Sequence, residues 1–126
     1  MHEAQRKVRS FHERFGCTVN DRPTWPGESA HRLRMALLDE ELAELRNAGE
    51  AASLVEIADA LGDLLYVVYG AAVTYGIDLD PVFEEIHRSN MSKGEPDVRV
   101  RADGKVLKGP RYSPPRVEEV LAAQAG

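Results

Sequence analysis

The chain has 126 residues, 43% of them hydrophobic and 29% charged, with a net charge of −5. This is an ordinary globular mixture, long enough to bury a modest core in one domain without staples. Its single cysteine, Cys17, excludes an intrachain disulfide framework and a cysteine-rich zinc site. The net acidity argues against a nucleic-acid-binding protein. The start, Met1 to Lys7, is polar and carries no apolar leader block, which together with the lack of disulfides points to the cytoplasm.

Four helices are expected before residue 92. The first, about 3–15, places Val8, Phe11 and Phe15 at helical spacing. A connector rich in breakers follows, Gly16 to Gly27, with Trp25 between two prolines, where it would either stack on a base or plug the end of a bundle. The second helix, about 28–47, repeats Leu33, Leu37, Leu38, Leu42 and Leu45 at steps of three and four, and Asn47-Ala48-Gly49 is a plausible stop. The third, about 51–75, has only Asp63 charged between Ala60 and Ile77. A helix apolar on every side is expected to be buried on every side, in a core or a subunit interface, so a homodimer or higher homo-oligomer is expected. A membrane span is disfavoured by Asp63 and the glycines at 62, 70 and 76. The fourth helix opens at Asp80-Pro81 and runs to about Asn90. Beyond it, Val98-Arg99-Val100-Arg101 alternates, Asp103-Gly104 makes a hairpin turn, and Ser113-Pro114-Pro115 starts a short last helix.

Charge is segregated along this order. Residues 88–116 hold eight basic and three acidic side chains, +5; the rest holds eight basic and eighteen acidic, −10. The expected organisation is a single all-α domain over residues 1–126, with an acidic helical body (1–90), a basic segment (91–112) and a short last helix (113–124). Segregation of this kind suits a site that handles cations and anions together, and equally a simple solubility pattern.

The acidic body carries two constellations. Helix two holds Glu40, Glu41 and Glu44 close together on its surface; helix three holds Glu56, Asp59 and Asp63 in one column. On an exposed face either would be a solvated stripe. Asp63 decides between readings: it lies among Leu61, Leu64 and Leu65, where burial is expected, and no Lys or Arg occurs between Arg46 and Arg88. A buried lone carboxylate is costly unless it is paired, protonated or bound to metal. Arg32 or Arg34 would supply a partner; a divalent cation shared with the helix-two glutamates does so more economically. Oxygen-only ligands favour Mg²⁺, with Mn²⁺ able to substitute.

The blocks Leu38-Asp39-Glu40-Glu41-Leu42-Ala43-Glu44 and Asp63-Leu64-Leu65-Tyr66-Val67-Val68-Tyr69-Gly70, followed by Asn90-Met91-Ser92-Lys93 and then Asp103 to Pro110, resemble the all-α nucleoside triphosphate pyrophosphohydrolases. This MazG-like superfamily includes dimeric dUTPases and phosphoribosyl-ATP pyrophosphohydrolases, and the resemblance covers roughly residues 30–115. It implies a four- to five-helix all-α bundle with a short hairpin-like basic segment. It also implies cleavage of a nucleoside triphosphate, with dUTP suggested by one branch, between the α- and β-phosphates. Glu41, Glu44, Asp59 and Asp63 would hold Mg²⁺, Glu40 would be the general base, and Asn90, Lys93, Lys105 and Lys108 would grip phosphates. One departure stands out. The family's second motif is usually Glu-x-x-Asp, but the Glu position is Ala60 here, so Glu56 and Asp59 remain alternative ligands.

Two rival readings use other features. Glu28-x-x-His31 and Glu84-x-x-His87 match the short motif of ferritin-like di-iron bundles, although Glu28 follows Pro26-Gly27 at a helix start. A non-catalytic helical dimer that binds a partner or nucleotide would leave the acidic column merely solvated. No membrane or nucleic-acid partner is expected.

Overall fold

The computed structural model describes residues 1–94 and 96–126. It is all-α, with five helices and one two-stranded sheet among those residues: α1 (Glu3–Phe15), α2 (Glu28–Glu50), α3 (Leu54–Tyr75), α4 (Leu79–Met91), a 3₁₀ turn (Ser92–Gly94), β1 (Arg99–Val100), β2 (Val106–Leu107) and α5 (Val117–Ala125). They fall into two compact units, Met1–Leu79 and Asp80–Gly126.

In the first unit, α2 and α3 form a helical hairpin and α1 packs against α3. α2 runs to Glu50, about three residues past the expected end near residue 47. The reversal falls instead at Ala52, in the left-handed region (φ 51°), and the Ser53 side chain then accepts from the Glu56 N–H to cap α3. The connector after α1 lies against the C-terminal end of α3 and satisfies its last carbonyls. Asn20 donates to Val73 O and Thr74 O, and the Thr24 N–H donates to Tyr75 O. Gly76, at φ 71°, ends α3 where a Cβ would run into the Arg22 backbone, so only glycine fits. The buried Gln5 amide clamps α1 to the α3–α4 corner, donating to Ile77 O and accepting from the Leu79 N–H.

Within a single copy of the chain α3 leaves apolar surface exposed. Only its last turns, Gly70 to Thr74, together with Ala60, are buried. Leu54 and Val55 are 80% and 82% exposed, and Leu61, Leu65 and Tyr66 are also open. The physical reason is that within this unit only α1 and α2 are available to cover a helix that is apolar all round. By length and composition alone, α3 is apolar enough to cross a bilayer.

In the second unit, β1 and β2 pair antiparallel with Arg99 opposite Leu107 and Val100 opposite Val106. The Arg101 N–H donates to Lys105 O across the turn, where Gly104 takes φ 94°. The C-terminal segment is lashed to α4. The Glu85 carboxylate accepts from Arg88 Nε (2.7 Å) and Nη2 (2.8 Å) and from the Arg116 N–H (2.6 Å), while Arg88 also donates to Pro114 O. Ser92 Oγ accepts from the Ser113 N–H. α5 therefore starts at Val117, three residues later than Pro114 suggested, because the Arg116 backbone is held in a non-helical conformation.

The Arg88 and Arg116 bonds hold the Glu85 carboxyl far below its usual value, at about 2. A depressed carboxylate contributes stability above its unfolded value near 4.5, and that stability is lost as the pH falls toward 2. Glu85→Gln is expected to speed proteolysis in residues 109–126 at pH 7. The difference from wild type should shrink as the pH falls below 4.5 and vanish only below about 2; a constant difference across that range would refute the assignment.

Candidate functional site

The hairpin of α2 and α3 brings three of the expected carboxylates together. Glu41 and Glu44, one turn apart on α2, and Asp63 on α3 each offer an oxygen, and these three atoms lie within 4.8 Å of one another. Glu41 is half-buried, and its Oε2 is enclosed with no hydrogen-bond partner among the described residues. Burial pushes its carboxyl above the ordinary value, and the charges of Glu44, Asp63 and Glu40 add to the shift.

The costly carboxylate is thus Glu41 rather than Asp63, which remains partly exposed; this corrects the expectation from the sequence. The expected burial of Asp63 presumed a fully covered α3. Neither arginine proposed as a partner serves: Arg32 pairs with Glu28, and Arg34 turns inward toward His12.

The cluster suits a hard dication. Bonds of ~2.0–2.6 Å to oxygen place ligand atoms up to ~4–5 Å apart, the spacing found here. Three carboxylates without a cation among them repel one another, and the orphaned Glu41 oxygen is an acceptor in want of a positive partner.

Glu56 and Asp59 lie outside this three-oxygen group. They line an adjoining groove of about 280 Å³ together with Glu44, Asn47, Ala48 and Ala60. Glu44 is common to cluster and groove. Asn47 is a residue that the sequence reading used only as a helix stop. Its signal was available: Glu41, Glu44 and Asn47 recur at steps of three on one helix. Glu40 is exposed next to Glu41.

In the second unit, Asn90, Lys93 and Lys105 line one groove with Met91, Gly94, Val98 and Val106. Lys108 lies apart from that lining, its Nζ 4.9 Å from the centre of the Tyr112 ring. Trp25 sits at the end of the α2–α3 hairpin against His31 (4.9 Å between ring centres) and Tyr75 (6.4 Å). Twelve residues separate Tyr75 from Asp63, roughly 18 Å of helix. The indole therefore serves as the end plug of that hairpin and stands away from the cluster. His31 bonds the Tyr75 hydroxyl, and neither His31 nor His87 joins a metal-capable group among the described residues.

The α2–α3 hairpin thus presents converging carboxylates that could hold a divalent cation. Residues 8–90 match the phosphoribosyl-ATP pyrophosphohydrolase family, and the chain belongs to it. The chain is also similar to "Uncharacterized protein L479" of Acanthamoeba polyphaga mimivirus, at 51% identity over 49 residues. That match covers 39% of this chain and 20% of the viral protein, so the chain spans about a fifth of that relative's length.

Proposed function

We propose that the protein is a Mg²⁺-dependent nucleoside triphosphate pyrophosphohydrolase, with dUTP among its candidate substrates. The observation that carries this reading is the meeting of Glu41, Glu44 and Asp63 carboxylate oxygens within 4.8 Å, with one Glu41 oxygen enclosed and unpartnered among the described residues. Glu41, Glu44 and Asp63 would hold the ion, with Asp59 or Glu56 as a further ligand and Mn²⁺ as a substitute. When bound, such an ion neutralises polyphosphate charge that would otherwise repel a nucleophile.

The chain's own residues supply the rest. Glu40, exposed at the rim, orients a water and takes its proton as the water oxygen bonds to the α-phosphorus. The bond from that phosphorus to the bridging oxygen breaks, its electron pair leaves with pyrophosphate, and the nucleoside monophosphate remains. Asn90, Lys93, Lys105 and Lys108 are the proposed phosphate contacts, each charge-assisted bond contributing ~1.5–3 kcal/mol where water is excluded.

The exposed apolar residues of α3 support a homodimer or larger homo-oligomer, and the proposed location is the cytoplasm. The activity is tested by incubating the protein with each ribo- and deoxyribonucleoside triphosphate and Mg²⁺. Pyrophosphate and the monophosphate are the expected products; release of orthophosphate alone would move the cleaved bond and discard the mechanism.

A further inference from the structure

The groove of the second unit joins two kinds of surface. Met91, Val98 and Val106 form an apolar wall, and the first two are 65% and 66% exposed. Lys93 and Lys105 stand beside that wall, and no carboxylate lines the groove among the described residues. Neither ammonium forms an ion pair among those residues. The space, about 470 Å³, lies inside the ~300–1,000 Å³ range of small-molecule sites.

The walls are fixed before any ligand arrives. The Gly109 N–H donates to Lys93 O at 3.0 Å, which ties the 3₁₀ turn to the chain leaving β2. Ser92 Oγ donates to Ser89 O at 2.6 Å and accepts from the Ser113 N–H at 2.9 Å. Val98 closes on the turn, since a Cβ at Gly94 would lie 3.3 Å from its Cγ2. A pre-formed site loses less freedom on binding.

The lining selects an amphipathic anion. Two unpaired lysines call for negative charge, and the apolar wall beside them gains by being covered. The two valines are stiff at χ1, and a methionine thioether makes favourable contacts with aromatic rings, so the wall suits a planar ring. The Asn90 amide both donates and accepts, which suits a sugar hydroxyl or a phosphate oxygen. A bare phosphate would leave the wall uncovered. A fatty acid would leave the amide without a partner. A nucleotide meets all three demands.

We infer that this groove binds the nucleoside monophosphate part of the substrate, with the base against Met91, Val98 and Val106 and the phosphate on Lys93 and Lys105. The inference rests on the reading of these lysines as phosphate contacts and adds the place of the base. Nothing in the lining requires a metal ion, so the monophosphate product binds there as well.

The test measures binding to the full chain in EDTA, where the metal-free carboxylate cluster repels phosphate. Calorimetry compares deoxynucleoside monophosphates with deoxyribose 5-phosphate, which lacks the base. The wild type should bind at least one monophosphate about tenfold or more tighter than the sugar phosphate. Met91 and Val98 are exposed, so Met91→Ala and Val98→Ser are expected to fold. Each should cut that preference about threefold to tenfold and leave sugar phosphate affinity unchanged. Lys105→Gln should weaken both ligands about fivefold to tenfold and leave the preference intact. The inference is overturned if the wild type shows no preference for the base, if neither wall variant changes it, or if decanoate binds more tightly than every monophosphate. Failure of the underlying reading looks different: the wild type would release pyrophosphate from no triphosphate in Mg²⁺, whatever binds in EDTA.

Discussion

Glu41→Gln is expected to make the metal-free protein more stable and to abolish its turnover. The carboxyl is forced above its ordinary value by burial and by Glu44, Asp63 and Glu40, so at neutral pH its charge is held in place against a free-energy cost. A neutral amide of the same shape relieves that repulsion. The variant should melt at a higher temperature than wild type in EDTA. The pH dependence has a definite sign. A carboxyl raised in the folded state destabilises above its unfolded value near 4.5, so metal-free wild type should gain stability as the pH falls toward that value, and the variant should lack this gain. Saturating Mg²⁺ should reverse the ranking. An ion at a hundred times its dissociation constant stabilises wild type by ~2.7 kcal/mol, and a site short of one anionic ligand responds much less. Turnover should fall at least about a hundredfold, ~2.7 kcal/mol of barrier, and Asp63→Asn should match it with helical content intact. Circular-dichroism melts with and without metal, beside a pyrophosphate assay, check each point. A wild-type melting temperature indifferent to millimolar Mg²⁺ and Mn²⁺ would remove the metal from the account.

Local signals predicted local structure well in this chain. α1 occupies the expected residues 3–15, with Gly16 as the left-handed stop, but its buried face is Gln5, Val8 and His12, while Phe11 and Phe15 stay exposed. The Glu41–Glu44 pair was legible as helical spacing, and its meeting with Asp63 followed once two helices joined by a short turn had to lie side by side. Properties set by the surroundings were not legible. Which carboxylate is enclosed depends on how much of α3 the neighbouring helices cover, and a helix apolar all round gives no sign of its covered side. The late start of α5 depends on Glu85, thirty-one residues earlier in the chain, capturing the Arg116 N–H. Asn47 read as a stop signal because stop signals are local, whereas its place in a groove depends on α3.

Two glycines of α3 should respond to substitution with opposite signs, and the reason lies in a buried pair of cationic residue types. Arg34 is 6% exposed and His12 2%, and no carboxylate forms an ion pair with Arg34 among the described residues. His12 Nδ1 donates to Thr18 O at 2.9 Å, which leaves Nε2 as the acceptor facing Arg34 Nη1 at 3.5 Å. Burial lowers the imidazole's pKa and the guanidinium lowers it further, so His12 stays neutral. Both side chains pass over Gly70, where a Cβ would lie 2.8 Å from Arg34 Nη1 and 3.3 Å from His12 Nε2. Gly70→Val is therefore expected to cost about 3 kcal/mol, from overpacking and from breaking the contact of a buried charge. The urea midpoint should fall by roughly 1–2 M with little change in slope. Gly62 has nothing within 4 Å of its would-be Cβ, and Gly62→Ala should stabilise by up to ~1 kcal/mol through helix propensity alone. The same pair sets an acid limit. Because the folded pKa of His12 lies below its unfolded value near 6.5, protonation favours the unfolded chain, and stability should drop as the pH falls below that value. His12→Gln should flatten the difference between pH 7 and pH 5. Equal costs at Gly70 and Gly62, or an unchanged pH slope in the His12 variant, would mean that the Arg34–His12 contact does not hold α1 in place.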